Sequence, residues 1–304
     1  MRALVLGGGG SKGPYHLGAI TTLLSQGYRF DLFAGVSVGA LVAAYLAQFD
    51  DREVLMGHRA LVDTMLRVNT RDIWRNWKFW RRAAGMWKSS IYNSKGLHRL
   101  IDKSIDPKKV RESGKKLRIG AVDLYSRGYT IFDENYVPLT KAIAASASIP
   151  FAFSPVAMGE SLWIDGGVRS VTPLASAIEA GATEVVAITL QAKNPSLRFE
   201  KKPNALDIGL RSIDLMSDEI VAKDIKIAQL YTKVRSLELQ LAGATGRSLD
   251  KTTNKRAVHV LHIRPELGLN EDSSVFDPAE AARLYQQGQE DARHAVLADV
   301  PLTT

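Results

Sequence analysis

The chain has no cysteine among its 304 residues, which excludes disulfide scaffolds, thiolate metal sites and a cysteine nucleophile together. It also lacks long hydrophobic runs. The longest nearly apolar stretch, Val38 to Ala47, falls well short of the roughly 20 residues that a membrane-spanning helix needs. Nor does Arg2-Ala3-Leu4-Val5-Leu6 resemble a signal-peptide core, because Gly7 ends it at once, and the cytoplasm is the expected compartment. No internal repeat is visible. Acidic residues are the minority charge, 32 against 40 lysines and arginines, giving +8 and a pI near 9.5. Such an excess favours an anionic partner, for which membrane phospholipid and nucleic acid both qualify.

What remains is an ordinary globular composition, 45% apolar and 24% charged, in which strands and helices alternate. Ala3 to Leu6 is a β-prone run ended by Gly7, Gly8, Gly9 and Gly10; Pro14 then opens a helix with apolar residues at helical spacing up to about Gln26. A second strand over Leu32 to Val36 passes directly into a small-residue helix, Val38 to Gln48. Residues 51 to about 105 are amphipathic and charged, show no strand pattern, and are expected to form a helical cap insertion. Further strands are expected at 117–124, 129–132, 162–164, 184–190 and 257–263, and helices at 141–148, 173–181, 204–241 and 278–297. This order predicts a three-layer α/β/α fold with a mostly parallel central sheet, built as a single domain over 1–304.

Gly35-Val36-Ser37-Val38-Gly39 fits the nucleophile-elbow pattern, a strained strand-to-helix turn that lifts a serine hydroxyl above a sheet, and it has the strand before and helix after that the pattern requires. The glycines at 8, 10 and 13 also satisfy the dinucleotide fingerprint. However, the second strand ends in the serine turn rather than in the carboxylate that would hold a ribose. Lys12 is followed by glycine, so the Walker pattern fails as well. Main-chain N–H groups at such a turn stabilise any anion, including the oxyanion of acyl transfer. A nucleophilic serine needs a base. Of the six histidines, only His259, His262 and His294 follow in the usual triad order, and none sits in a loop after a strand. Asp165 is the better candidate, since it ends an apolar strand and is followed by Gly166 and Gly167.

Taken together, Leu6 to Gly13, His16-Leu17-Gly18-Ala19-Ile20, Gly35 to Ala40 and Asp165-Gly166-Gly167 resemble the patatin-like phospholipases. Ala145 to Pro150 and Phe276-Asp277-Pro278 are similar to further blocks of that family, and the first half is most similar to its bacterial and neuropathy-target-esterase branch. The resemblance implies a patatin-like fold and a phospholipase A type of acyl hydrolase that needs no cofactor or metal. It also implies a Ser37–Asp165 dyad without histidine and an oxyanion hole at Gly8, Gly9 and Gly10. Lys12 stands where the family more often has arginine, keeping a charge for anion contact but losing the planar fork. Thr172 replaces the asparagine that commonly precedes the proline after the Asp-Gly block. The competing readings are a soluble acyl esterase or thioesterase and a nucleotide-binding protein built on the glycine loop.

Four of the five tryptophans, Trp74, Trp77, Trp80 and Trp87, fall between Arg71 and Ser90 among Arg75, Lys78, Arg81 and Arg82. On a helix, Trp74, Trp77 and Trp80 at i, i+3 and i+6 would drift along one side with cations flanking them. That pattern suits a bilayer interface, and it equally suits a core stripe with solvated bases. Peripheral contact with phospholipid through Trp74, Trp77, Trp80 and Arg81 is the expectation, with no nucleic-acid partner because no recognised nucleic-acid module surrounds the run.

Overall fold

The computed structural model describes residues 1–76, 90, 92–194, 205–245, 258–269 and 275–299. The chain starts with β1 (Arg2–Leu6), a 3₁₀ turn over Gly10–Lys12, α1 (Gly13–Ser25), β2 (Leu32–Gly35) and α2 (Val38–Leu46). The insertion follows as α3 (Val54–Met65), α4 (Thr70–Ile73), β3 (Arg75–Asn76), β4 (Tyr92–Asn93) and α5 (Lys95–Ser104). Then come α6 (Pro107–Glu112), β5 (Lys116–Asp123), β6 (Tyr129–Asp133), α7 (Leu139–Ser146), β7 (Val156–Met158) and β8 (Ser161–Asp165). The chain continues through α8 (Leu174–Glu179), β9 (Glu184–Ile188), α9 (Ala205–Thr245), β10 (His259–Ile263) and α10 (Pro278–Asp299).

The expected three-layer architecture is present. Strands β10, β9, β1, β2 and β5 are consecutive parallel neighbours, and β6, β7 and β8 add antiparallel pairs at one end. Alternation along β1 sorts the layers: Leu4 and Leu6 join the core beneath α1, α2, α7 and α10, while Ala3 and Val5 join the core beneath α8 and α9. Strands buried on both faces explain why these segments are runs of apolar residues without polar alternation.

The insertion departs from expectation in one respect. Arg75–Asn76 and Tyr92–Asn93 form a two-stranded antiparallel pair, too short to leave a period-two pattern. The helix expected through Trp74 therefore stops at Ile73, and Trp74 itself is extended at φ −146°, ψ 160°.

The register on β5 brings distant parts of the chain together. Its first residues pair with β2, Gly35 opposite Ile119. Its last pair with β8, Asp165 opposite Ala121. Because β6 pairs across the whole stretch from Arg118 to Val122, β2 and β8 must share the other side of β5. Running in opposite directions, they meet end to end with their carboxyl ends facing, about two residues or roughly 7 Å apart along β5.

Candidate active site

Ser37 lies two residues beyond the end of β2 and immediately precedes α2. Its backbone is at φ 57°, ψ −128°, a left-handed conformation that a side chain tolerates only where its surroundings enforce it. Here the enforcement is close backbone packing. A Cβ at Gly35 would stand 2.3 Å from the Gly39 carbonyl oxygen, and one at Gly39 would stand 2.3 Å from that of Leu6. Both glycines of the elbow are thus sterically required. The Ser37 N–H donates to Ser146 Oγ at 3.1 Å, and its hydroxyl makes no cap to α2. That hydroxyl lies close enough to the Asp165 carboxyl to favour its charged form.

Asp165 is held from three directions. Its N–H donates to Ser148 O at 3.0 Å, its Oδ1 accepts from the Gly167 N–H at 2.7 Å, and the Ser37 side chain acts on it from the facing strand end. The side chain is buried, and burial pushes its pKa from 3.8 up to about 7 against the opposing pull of the Gly167 N–H and the Ser37 side chain. A carboxyl poised there changes protonation state near neutrality, as a proton acceptor working at that pH must.

The glycine turn lies alongside. The Gly8 N–H donates to Val171 O at 3.1 Å, and its carbonyl accepts from Gln191 Nε2 at 3.2 Å. The Gly8 amide is thereby occupied. Gly9 and Gly10 enter the 3₁₀ turn that runs into α1, where the leading N–H groups have no partner within the turn. A Cβ at Gly8 would lie 3.2 Å from the Ser37 Cβ, and one at Gly9 2.6 Å from Leu190 Cδ1, so this loop is packed against the serine on one side and β9's exit on the other.

These groups open on a cleft of about 1680 Å³, counting space open to solvent, at the carboxyl ends of the parallel strands, where open α/β sheets place their sites. Its walls are mainly apolar. Leu41 of α2 and Met65, Ile73, Trp74 and Leu97 of the insertion form one side; Arg211 and Leu215 of α9 contribute to the rim. The insertion therefore does border the site, as a cap would. Lys12 also lines the cleft. Trp74 is half-buried in the wall and stacks on Tyr92 with ring centroids 3.8 Å apart. Trp77, Trp80 and Arg81 lie outside the described residues.

No histidine lines the cleft among the described residues. His262 Nε2 sits 3.0 Å from Thr189 Oγ1 and His259 faces Asp299, while burial drives His16 down to about 3. No group of His, Asp or Glu that could hold a metal ion occurs among the described residues, and no described helix is long and apolar enough to cross a membrane.

Two contributions escape a reading of the sequence. Ser146 and Ser148 belong to the small-residue block Ala145 to Pro150, yet nothing in that block reveals that one receives the Ser37 amide and the other the Asp165 amide. The second is Asp224 of α9, which accepts from the Ser170 hydroxyl at 3.4 Å, with burial raising its pKa to about 6. It ties α9 to the loop whose Val171 carbonyl holds Gly8. An acidic residue in mid-helix carries no signal of such a partner.

Comparison with known proteins places residues 4–178 under a family model described as patatin-like phospholipase. The uncharacterized protein YqhO of Bacillus subtilis is 25% identical over 241 residues, 73% of this chain and 82% of that protein. An uncharacterized NTE family protein of Mycobacterium tuberculosis is 26% identical over 228 residues, 73% of this chain and 59% of its own length. Lysophospholipase NTE1 of Scheffersomyces stipitis is 24% identical over 239 residues, 68% of this chain but 14% of that protein. The crystal structure of VipD from Legionella pneumophila shares the fold, with TM-score 0.50 and 15% identity, covering 98% of this chain and 67% of that one.

Proposed function

Since the chain belongs to the patatin-like phospholipase family, whose members hydrolyse lipids, we propose that it is a phospholipase A type enzyme that cleaves fatty acyl esters of membrane phospholipids with Ser37 as nucleophile and Asp165 as base. The observation that carries the reading is that Ser37 and the buried Asp165, from strand ends that face one another on β5, line the same largely apolar cleft. Ser37 Oγ attacks the acyl carbonyl while Asp165 takes its proton. The carbonyl π electrons move to oxygen, and that oxyanion is held by the N–H groups of Gly9 and Gly10; Gly8 serves the loop's packing, since its own N–H is engaged. Collapse expels the lysolipid alkoxide, which takes the proton from Asp165 and leaves an acyl-serine. Water then attacks the acyl carbonyl as Asp165 takes its proton, and collapse breaks the bond to Ser37 Oγ, which recovers that proton from Asp165 as the fatty acid leaves.

The apolar wall suits an acyl chain, and Lys12 and Arg211, the cationic residues among those lining the cleft, suit a phosphate. An acyl chain filling the cleft excludes water and strengthens every charge interaction inside it. Fluorophosphonate labelling followed by mass spectrometry of the modified peptide tests the nucleophile, and fatty acid release from a defined phospholipid panel tests the substrate. Label on Ser37, and kcat/KM rising with pH through an apparent pKa near 7, are the expected results. Near wild-type turnover by Ser37→Ala or Asp165→Asn removes the dyad; activity indifferent to lipid aggregation moves the substrate to soluble acyl esters.

A further inference from the structure

Helix α9 carries two apolar faces. Val221, Ile225 and Ala228 are buried on the sheet, and Thr232 Oγ1 donates to Val258 O at 2.8 Å, fastening the same face. On the opposite side, Ile227, Leu230, Val234, Leu237 and Leu241 recur at intervals of three and four, and each is 53–65% exposed. Among the described residues of α9, none after Ala228 is buried. The helix runs for 41 residues, roughly 60 Å, and its last four turns present apolar residues that stand exposed among the described residues.

The pattern identifies what covers them. Ile227, Val234 and Leu241 occupy the a positions of a heptad, and Leu230 and Leu237 the d positions. Two of the three a residues, Ile227 and Val234, are β-branched, and β-branched residues at a with leucine at d favour parallel two-stranded pairing. In that register Lys233, at g, faces Glu238, at e, of a second copy, twice per pair. Lys223 occupies the preceding d position, where it pairs with Glu219 at 3.2 Å, and so bounds the seam at its N-terminal end. The stripe spans roughly 80° of helix arc, the width of a coiled-coil seam; a helix lying on a bilayer presents a broader apolar face.

We propose that the exposed face of α9 is a self-association surface, on which two copies of this chain pair their helices in parallel through Ile227, Leu230, Val234, Leu237 and Leu241. The same helix supplies Arg211 and Leu215 to the rim of the cleft, so pairing fixes the helix that borders the site. The proposal does not depend on the hydrolase reading, because its test reads mass rather than turnover.

Sedimentation equilibrium of the full chain at micromolar concentration is expected to give twice the 33.3 kDa of one copy, and Leu230→Glu combined with Leu237→Glu is expected to give the single mass with an unchanged circular dichroism spectrum. Lys233→Glu and Glu238→Lys are each expected to weaken pairing alone and to pair with one another when mixed. The chain has no cysteine, so Leu230→Cys offers one thiol per copy; parallel pairing sets these side by side, and mild oxidation is expected to yield a reducible covalent dimer. Wild type at the single mass overturns the proposal, as does a double mass unaffected by the glutamate substitutions, or no covalent dimer from Leu230→Cys. Vesicle binding lost in the glutamate variant of a wild type that stays at the single mass assigns the face to membrane and likewise overturns it.

Discussion

Replacing Asp165 with asparagine should stabilise the protein, and by an amount that grows with pH. The carboxyl is 5% exposed and titrates near 7 when folded, against 3.8 for the free group. Below about pH 4 both folded and unfolded chains hold the proton, and the residue contributes no pH dependence. Between those two values the folded chain keeps a proton that the unfolded chain has released, so raising the pH favours unfolding by about 1.4 kcal/mol per unit. Above 7 the loss is complete, and a gap of about 3 units sets it at no more than about 4 kcal/mol. Asparagine removes the titration while its Oδ1 still accepts from the Gly167 N–H. Urea melts of wild type and Asp165→Asn at a series of pH values would give a stability difference near zero at about pH 4, climbing to a plateau by about pH 8 of up to ~4 kcal/mol, or roughly 8 °C in Tm. Other ionisable groups occur in both proteins and cancel in the difference. A difference constant across this range would show that Asp165 is not buried as an acid, and the basis for its role as proton acceptor would go with it.

How far the sequence anticipates this arrangement depends on the range over which each feature is determined. Strands β1, β2 and β9 are legible because burial on both faces makes them short apolar runs closed by glycine or a polar residue. The serine turn is legible because its two glycines sit at fixed offsets from Ser37. Asp165 could be nominated from its position after an apolar strand, but its partner follows only from the register on β5, where Gly35 and Asp165 come to lie opposite Ile119 and Ala121. Nothing local encodes that pairing. The three-residue strand β7 and the two-residue strands β3 and β4 are too short for any periodicity, so the sequence gives no sign that the helix ends at Ile73 and that Trp74 leads into β3. Ser146 illustrates the same limit within the site. A serine in an alanine-rich helix end has no mark of its use until the fold brings Ser37 to it from 109 residues away.

Two further outcomes test the packing on which the site rests. Ser37→Gly should melt above Ser37→Ala, because glycine relieves the φ of 57° that alanine retains; the gain expected is about 1–3 kcal/mol, and equal melting temperatures would mean that the turn is unstrained. Gly288→Ala should destabilise the protein by about 1–3 kcal/mol, read as a lower midpoint in urea. Helices α1 and α10 cross with glycine at each contact: a Cβ at Gly288 would lie 2.1 Å from the Tyr15 carbonyl oxygen, and one at Gly18 1.9 Å from that of Tyr285. The obstacle is backbone on both sides, so no rotamer change relieves it and α10 must move away from α1. That movement also pulls Asp291 from the Tyr15 hydroxyl, which it accepts at 2.8 Å. Since α1 continues the turn that carries Gly9 and Gly10, lipid hydrolysis should fall together with stability. An alanine variant with an unchanged midpoint would show that the two helices do not approach this closely, and the glycine turn would then lack the rigid support assigned to it.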